Sequence, residues 1–161
     1  MKYEDKPVTF CEDLNKFIMT FISTTADAIQ TIQGSSGLMI MSVAIGTKLW
    51  DELNMSARCT IPKAETREEK INCFMNVLKN SGAIGDYSFK EERGHLEIEV
   101  KDCFFAPASD KQVEQRLKQP LCPIGGMIVA GLHKAAHILA TLEKADHSSQ
   151  NGVSKLTFSL Y

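Results

Sequence analysis

The sequence has no basic run, no internal repeat and no low-complexity linker. Its net charge of −2, with lysines and arginines scattered along the chain, gives no electrostatic footprint for a nucleic-acid backbone. Apolar runs such as GLMIMSVAIG are far shorter than the roughly 20 residues that cross a bilayer. The start, MKYEDKPVTF, is charged and lacks the apolar segment of a secretory signal. We therefore expect a cytoplasmic protein that neither binds nucleic acid nor spans a membrane.

The cysteines lack a metal-binding pattern of their own. They are Cys11, Cys59, Cys73, Cys103 and Cys122, and no two of them form a C-x-x-C pair. An odd, scattered set without a secretory signal is typical of reduced thiols in a cytosol.

Apolar residues at helical spacing dominate the first half of the chain. They predict a first helix over 10–33, whose stripe is Phe10, Leu14, Phe17, Ile18, Phe21, Ala28, Ile29 and Ile32. This stripe is either ordinary core or a dimer face, because one small domain rarely covers so long a helix. After a break at GSSG (34–37), a second helix over 38–54 is apolar almost all round and is expected to be buried or to line a cavity. A third helix over 67–80 begins with a capping box formed by Thr66 and Glu69.

The second half contains the strand signals. Tyr87 and Phe89, then Leu96, Ile98 and Val100, alternate with polar residues and predict an antiparallel hairpin. A short helix is expected from Ser109, then a glycine-rich helix that ends near residue 142, and a last strand over 154–161. Segregated helices and an antiparallel sheet within 161 residues predict a single α+β domain, 1–161.

Three features of the glycine-rich helix could carry chemistry. His133 and His137 are four residues apart, which places them on one helical face and permits zinc binding, although the string HKAAH lacks the intervening glutamate of a zinc protease. Cys122 precedes the helix, where the macrodipole is expected to lower a thiol pKa. Gly125 and Gly126 lack the frame of a phosphate loop. Such small residues indicate that another backbone, a partner chain or a ligand comes close, and close packing is the favoured interpretation.

The order of these elements resembles one known family. The segments EEKINCFMNVLKNSGAIGDYSF, HLEIEVKDCFFA and PLCPIGGMIVAGL, preceded by GLMIMSVAIGTKLWDEL, resemble the 4-vinyl reductase domain family of small-molecule or hydrocarbon-binding modules. The likeness spans roughly 35–161 and leaves a helix over 9–33 as a dimerisation element. The resemblance implies an α+β fold related to that of trafficking-particle subunits, a homodimer, and an apolar pocket between helices and sheet.

The resemblance also implies a zinc site, because some members of the family carry a structural zinc. The positions that match its ligands here are Cys122, Glu143 and His147. The fourth ligand, a cysteine in the family, is missing, and Ser154 and Lys155 stand near its place. The site is then lost, open, or completed by Cys103 or water.

The expected pocket lies under the second helix, closed by the third helix, the hairpin and the start of the glycine-rich helix. The residues expected to bind a ligand are Trp50, Cys73, Val77, Ile98 and Gly126. Phenol-sensing members have a histidine and a tryptophan where this chain has Cys73 and the segment 98–100, so a more apolar ligand is favoured. We expect a sensory or carrier domain for a hydrocarbon or aromatic molecule, acting through dimer and partner contacts. The alternative is a thiol- or zinc-dependent hydrolase similar to the aminothiazoline-carboxylate hydrolases.

Overall fold

A computed structural model describes residues 7–59, 66–117 and 120–161, and for 7–15 it describes the backbone alone. The helices are α1 (Pro7–Glu52), α2 (Met55–Arg58), α3 (Arg67–Asn80), α4 (Ala106–Glu114) and α5 (Pro123–Lys134), and the strands are β1 (Asp86–Glu92), β2 (His95–Lys101), β3 (Ala140–Ser148) and β4 (Val153–Leu160). The strands form one antiparallel sheet in the order β1-β2-β4-β3. The predicted α+β class is confirmed.

The predicted hairpin is confirmed as β1 and β2, with Phe89 paired to Ile98. The turn between the two strands consists of Arg93 and Gly94. Arg93 and Gly94 both have positive φ, at 51° and 81°, and two such residues make the tight turn whose twist suits a hairpin. On β2, Leu96, Ile98 and Val100 are buried, so this strand presents one face to the core, as its alternation predicts.

The prediction that the glycine-rich helix extends to Leu142 is wrong. The helix α5 ends at Lys134, and the segment after it forms β3, a strand that the sequence reading missed. A β-bulge between Leu142 and Lys144 places Glu143 as an extra residue. A bulge breaks the alternation of apolar and polar residues by which a strand is recognised, so the pattern was hidden.

The predicted break between the first two helices is confirmed at Gly34, whose φ of 68° and ψ of −164° are not helical, so α1 consists of two helical segments joined at a kink. Two other features differ from the prediction. The helix α4 begins at Ala106 rather than at Ser109. The segment after α1 forms the short helix α2, and the strand expected near RCTIP lies largely outside the described residues. The capping box at Thr66 and Glu69 is confirmed.

The C-terminal half of α1 crosses α5 with the two backbones in contact. A Cβ added at Gly126 would lie 2.0 Å from the carbonyl oxygen of Ser42, and one added at Gly46 would lie 2.3 Å from the backbone nitrogen of Met127. The Ser42 hydroxyl accepts a hydrogen bond from the Cys122 amide (2.9 Å) and donates one to the Leu38 carbonyl (2.7 Å). The glycines of α5 therefore serve close packing, the favoured one of the three interpretations.

The N-terminal half of α1 is packed on one side only. Met19 and Ala26 are buried, and Lys111 of α4 donates to the Thr20 hydroxyl (3.1 Å). Phe17, however, is 67% exposed. The core interpretation of the predicted stripe is therefore wrong for its most exposed members, Phe17, Phe21 and Ile32.

One part of α1, Lys16–Glu52, is long and apolar enough to cross a membrane by length and composition alone. Apolar core helices of soluble domains meet the same criterion, and the half of α1 beyond Gly34 is packed against α5. The absence of a membrane span stays a prediction.

Candidate functional site

An apolar cleft of about 270 Å³ lies where the end of α1 meets α2, the turn after α3 and the loop before α4. Its lining residues are Leu49, Leu53, Met55, Arg58, Ser81, Gly82, Ala83, Phe104, Phe105 and Met127. This volume is close to the lower end of the range for small-molecule sites. The cleft is partly open to solvent, and side chains on its rim such as Leu53 (44% exposed) and Phe104 (52% exposed) are accessible to a ligand.

Two loops that approach each other form one wall of the cleft. The Phe104 amide donates to the Ala83 carbonyl (3.0 Å), which joins the loop before α4 to the turn after α3. The rings of Phe104 and Phe105 meet edge to face, with centroids 5.2 Å apart. Gly82 has φ 77°, a backbone conformation that glycine adopts without steric cost. This wall is therefore fixed by backbone contacts and presents an aromatic surface.

The opposite wall is α2, a single helical turn that few contacts hold. Met55 is buried, and the indole N–H of Trp50 donates to the Ser56 hydroxyl (2.8 Å). At the far end of α2, the Sγ atoms of Cys59 and Cys73 lie 2.9 Å apart. Because α2 is so short, it depends on these tertiary contacts rather than on its own hydrogen bonds.

The ligand-binding residues expected from the sequence are not among the described lining residues of the cleft. Trp50, Val77 and Ile98 are buried together in the main core. Gly126 lies at the crossing with α1. Cys73, on α3, is half-buried against Cys59. The described cleft thus lies at the end of α1 rather than under the middle of the predicted second helix.

Cys122, the first predicted zinc ligand, is a buried thiol at the start of α5. Burial raises its pKa to about 11, although the backbone N–H groups of Gly125 and Ile124 act in the opposite direction. The expectation that the helix would lower this pKa is therefore wrong, because desolvation outweighs the helix start. Only the thiolate is a strong nucleophile, so this arrangement gives little support to the hydrolase alternative.

The other two predicted zinc ligands lie on opposite faces of the sheet. On the outer face, Glu143 accepts a hydrogen bond from the Ser159 hydroxyl and lies 3.6 Å from His95 Nδ1. On the inner face, the side chain of His147 is 1% exposed. Its Nδ1 lies 2.9 Å from Ser154 Oγ and its Nε2 lies 2.8 Å from Asp110 Oδ1, so both ring nitrogens are engaged.

The structure therefore does not bring the predicted zinc ligands together. Within the described part of the chain, no group of three or more His, Cys, Asp or Glu side chains is placed to hold a metal ion. His133 and His137 do not share a helical face, because α5 ends at Lys134 and His137 lies beyond it with φ 57°. Zinc binding at Cys122, Glu143 and His147 stays a prediction, and it would require Glu143 to leave the outer face.

The contacts of His147 form a Ser–His–Asp network that the sequence reading missed. Ser154 was placed near the missing fourth zinc ligand, and it does lie beside His147 across the β3–β4 pair. Asp110 lies on α4, 37 residues from His147 in the sequence. No pattern among neighbouring residues could therefore predict this contact. Ser154 is 6% exposed, and the network therefore joins α4 to the sheet rather than presenting a nucleophile to substrate.

No protein-family model matches the chain, and no curated protein matches it. The resemblance to the 4-vinyl reductase domains accordingly stays a prediction.

Proposed function

We propose that the protein is a small-molecule-binding domain, sensory or carrier in role, whose ligand occupies the cleft between α2 and the Phe104–Phe105 loop. The observation that carries the proposal is the cleft itself, whose described lining is mostly apolar and includes two aromatic rings. An apolar ligand that enters such a site gains roughly 25 cal/mol for each Å² of apolar surface removed from water. A hydrocarbon chain or an aromatic ring is the class of molecule that this lining favours.

Arg58 makes the proposal more specific. It is the one charged residue among the described lining residues, which are otherwise mostly apolar. A guanidinium group pairs with a carboxylate through parallel hydrogen bonds. We infer that the preferred ligand has an apolar body in the cleft and an anionic group at its mouth.

Calorimetric titration with octanoate and with octanol tests both parts of the proposal. The two probes share an apolar chain and differ in charge. We expect octanoate to bind with a dissociation constant of about 10–100 µM. Replacing Arg58→Gln should weaken octanoate binding about fivefold, as expected for a solvent-exposed charge pair, and leave octanol binding unchanged.

The apolar walls are tested by truncation of rim residues. Leu53→Ala and Phe104→Ala should each weaken both probes about three- to tenfold, because each removes apolar contact area. Ile40→Ala is the matched control, since Ile40 is 67% exposed on α1, the helix that Leu53 directly follows, but is not among the described lining residues of the cleft. Failure of both probes to bind, or equal loss in the Ile40 variant, would refute the proposal.

We further propose that the binding unit is a homodimer formed through the N-terminal half of α1. Phe17, Phe21 and Ile32 are 67%, 63% and 79% exposed, and helical spacing places them within one face. Exposed aromatic groups of this kind mark interaction surfaces. We propose that this face packs against the same face of a second copy of the chain.

A further inference from the structure

The cysteines at the end of α2 and in α3 form a pair with a chemistry of its own. Cys59 Sγ and Cys73 Sγ are 2.9 Å apart, and both residues are half-buried rather than sealed in the core. Cys103 and Cys122, by contrast, are both buried. A small disulfide reagent can therefore reach the Cys59–Cys73 pair more easily than the other described thiols.

We propose that Cys59 and Cys73 form a reversible disulfide that fixes the wall of the cleft. The part of this inference that concerns the cleft rests on the proposed function, whereas the disulfide itself does not. The oxidant is a low-molecular-weight disulfide such as oxidised glutathione.

The reaction proceeds by two thiol–disulfide exchanges. One protein thiolate attacks the oxidant, forms a mixed disulfide and releases one molecule of reduced thiol. The second protein thiol then loses its proton and attacks the mixed disulfide, which forms the Cys59–Cys73 bond and releases a second reduced thiol. The protein loses two electrons and two protons, and the oxidant gains them. Because the two sulfurs are already in contact, the second step needs little movement of the chain.

The position of the pair determines its effect. Cys59 follows Arg58 directly, and α2 carries both Met55 and Arg58 into the cleft lining. The start of α2 is held by the buried Met55 and by the bond between Trp50 and Ser56. A covalent bond at Cys59 would hold the other end, so that α2 could no longer swing away from α3.

The surroundings of Cys59 slow its oxidation at neutral pH. Burial, followed by the hydrogen bond to Cys73, raises the pKa of Cys59 to about 12. Cys59 therefore remains a protonated thiol at neutral pH, and a protonated thiol does not attack disulfides. Mildly alkaline conditions should accelerate oxidation if Cys59 is the attacking thiol.

The test is oxidation of the 161-residue chain with oxidised glutathione, followed by intact-mass measurement and peptide mapping without reduction. We expect loss of two hydrogen atoms, a cross-linked peptide that contains Cys59 and Cys73, and reversal by dithiothreitol. The bond closes a loop of moderate length, so the melting temperature should rise by about 5–10 °C. Cys59→Ser and Cys73→Ser should abolish the cross-link and the rise, whereas Cys103→Ser, a matched control, should retain both.

A cross-link at another pair, or glutathione adducts that persist on Cys59 and Cys73 without an internal bond, would overturn the disulfide. Octanoate separates this result from the proposed function. A slower dissociation of octanoate from the oxidised protein, about threefold or more, supports control of the cleft, and equal rates overturn that control. If octanoate binds neither redox form, the proposed ligand function fails while a mapped Cys59–Cys73 bond still stands.

Discussion

The two halves of α1, on either side of Gly34, are both apolar and yet meet their surroundings in opposite ways. Beyond Gly34 the helix carries Ser42 and Gly46 where it crosses α5, and the two backbones touch. Before Gly34 it carries Phe17 and Phe21, which point into solvent. Apolar content alone therefore does not say which helix is buried. The small residues identify the half that is packed within the chain, and the large exposed ones identify a face that remains available.

The largest effect is expected where the backbones touch. Gly126→Ala places a Cβ 2.0 Å from the Ser42 carbonyl oxygen, and a backbone atom cannot rotate away as a side chain can. Forcing the helices apart should cost at least about 3 kcal/mol of unfolding free energy. Chemical denaturation measures this loss.

The neighbouring glycine supplies the control. A Cβ at Gly125 would meet Leu142 Cδ2 at 2.8 Å, and this is the end of a flexible side chain. Alanine also favours the helix over glycine by about 1 kcal/mol, so Gly125→Ala should be near neutral. Equal losses for the two variants would contradict the claim that α1 and α5 make backbone contact.

The same crossing should protect Cys122 from alkylation. Its pKa of about 11 leaves very little thiolate at neutral pH, so iodoacetamide should modify it at least about 100-fold more slowly than an ordinary cysteine. Because the raised pKa favours the thiol, the rate should increase as the pH is raised toward 11. Peptide mass spectrometry over a pH series measures the rate. Rapid modification of Cys122 at neutral pH would instead favour the hydrolase alternative.

Two buried serines allow a matched comparison of the halves. Ser42→Ala removes the acceptor of the Cys122 amide and leaves a buried donor unpaired, which should cost about 1–3 kcal/mol. Ser23→Ala is the control in the other half, because the Ser23 hydroxyl only donates to the Thr20 carbonyl of its own helix (3.0 Å). We expect a loss below about 1 kcal/mol there. Thermal or chemical unfolding measures both losses of unfolding free energy. Similar losses for the two variants would contradict the claim that only the half of α1 beyond Gly34 is packed closely against α5.

Features formed by residues that are near one another in the sequence could be predicted, and features that depend on distant residues could not. The hairpin and the box at Thr66 and Glu69 involve residues that are near one another and keep a strict pattern. The strand β3 lost its pattern to the extra residue Glu143. Ser42 and Gly46 are four residues apart on α1, which is a local signal of a close helix crossing, but the partner helix cannot be read from them.

The cleft was harder to predict than the fold, because its described lining comes from four separated segments of the chain, 49–58, 81–83, 104–105 and residue 127. Leu53 and Arg58 look like ordinary surface residues in the sequence, and Ala83 and Phe104 like loop residues. Tertiary hydrogen bonds, such as those from the Phe104 amide to the Ala83 carbonyl and from the Gly85 amide to the Lys101 carbonyl, bring the two loops together. Apolar helix residues such as Trp50 and Val77 were more obvious candidates for a ligand site. Their apolar character, however, buries them in the core.

Substitutions on the exposed face of α1 before Gly34 should change the association of the chain and have little effect on its stability. Phe17→Asp combined with Phe21→Asp changes residues that are 67% and 63% exposed, so each should change the unfolding free energy by less than about 0.5 kcal/mol. A charge on each aromatic position should nevertheless convert a dimer to a monomer, because desolvating a carboxylate at an apolar interface is costly. Light scattering coupled to size-exclusion chromatography measures the mass, and Ile40→Asp, beyond Gly34, is the control that should remain dimeric. If the unmodified protein is a monomer, or if it floats with phosphatidylcholine vesicles and loses that property in the double variant, the face serves a lipid surface or another partner rather than a second copy.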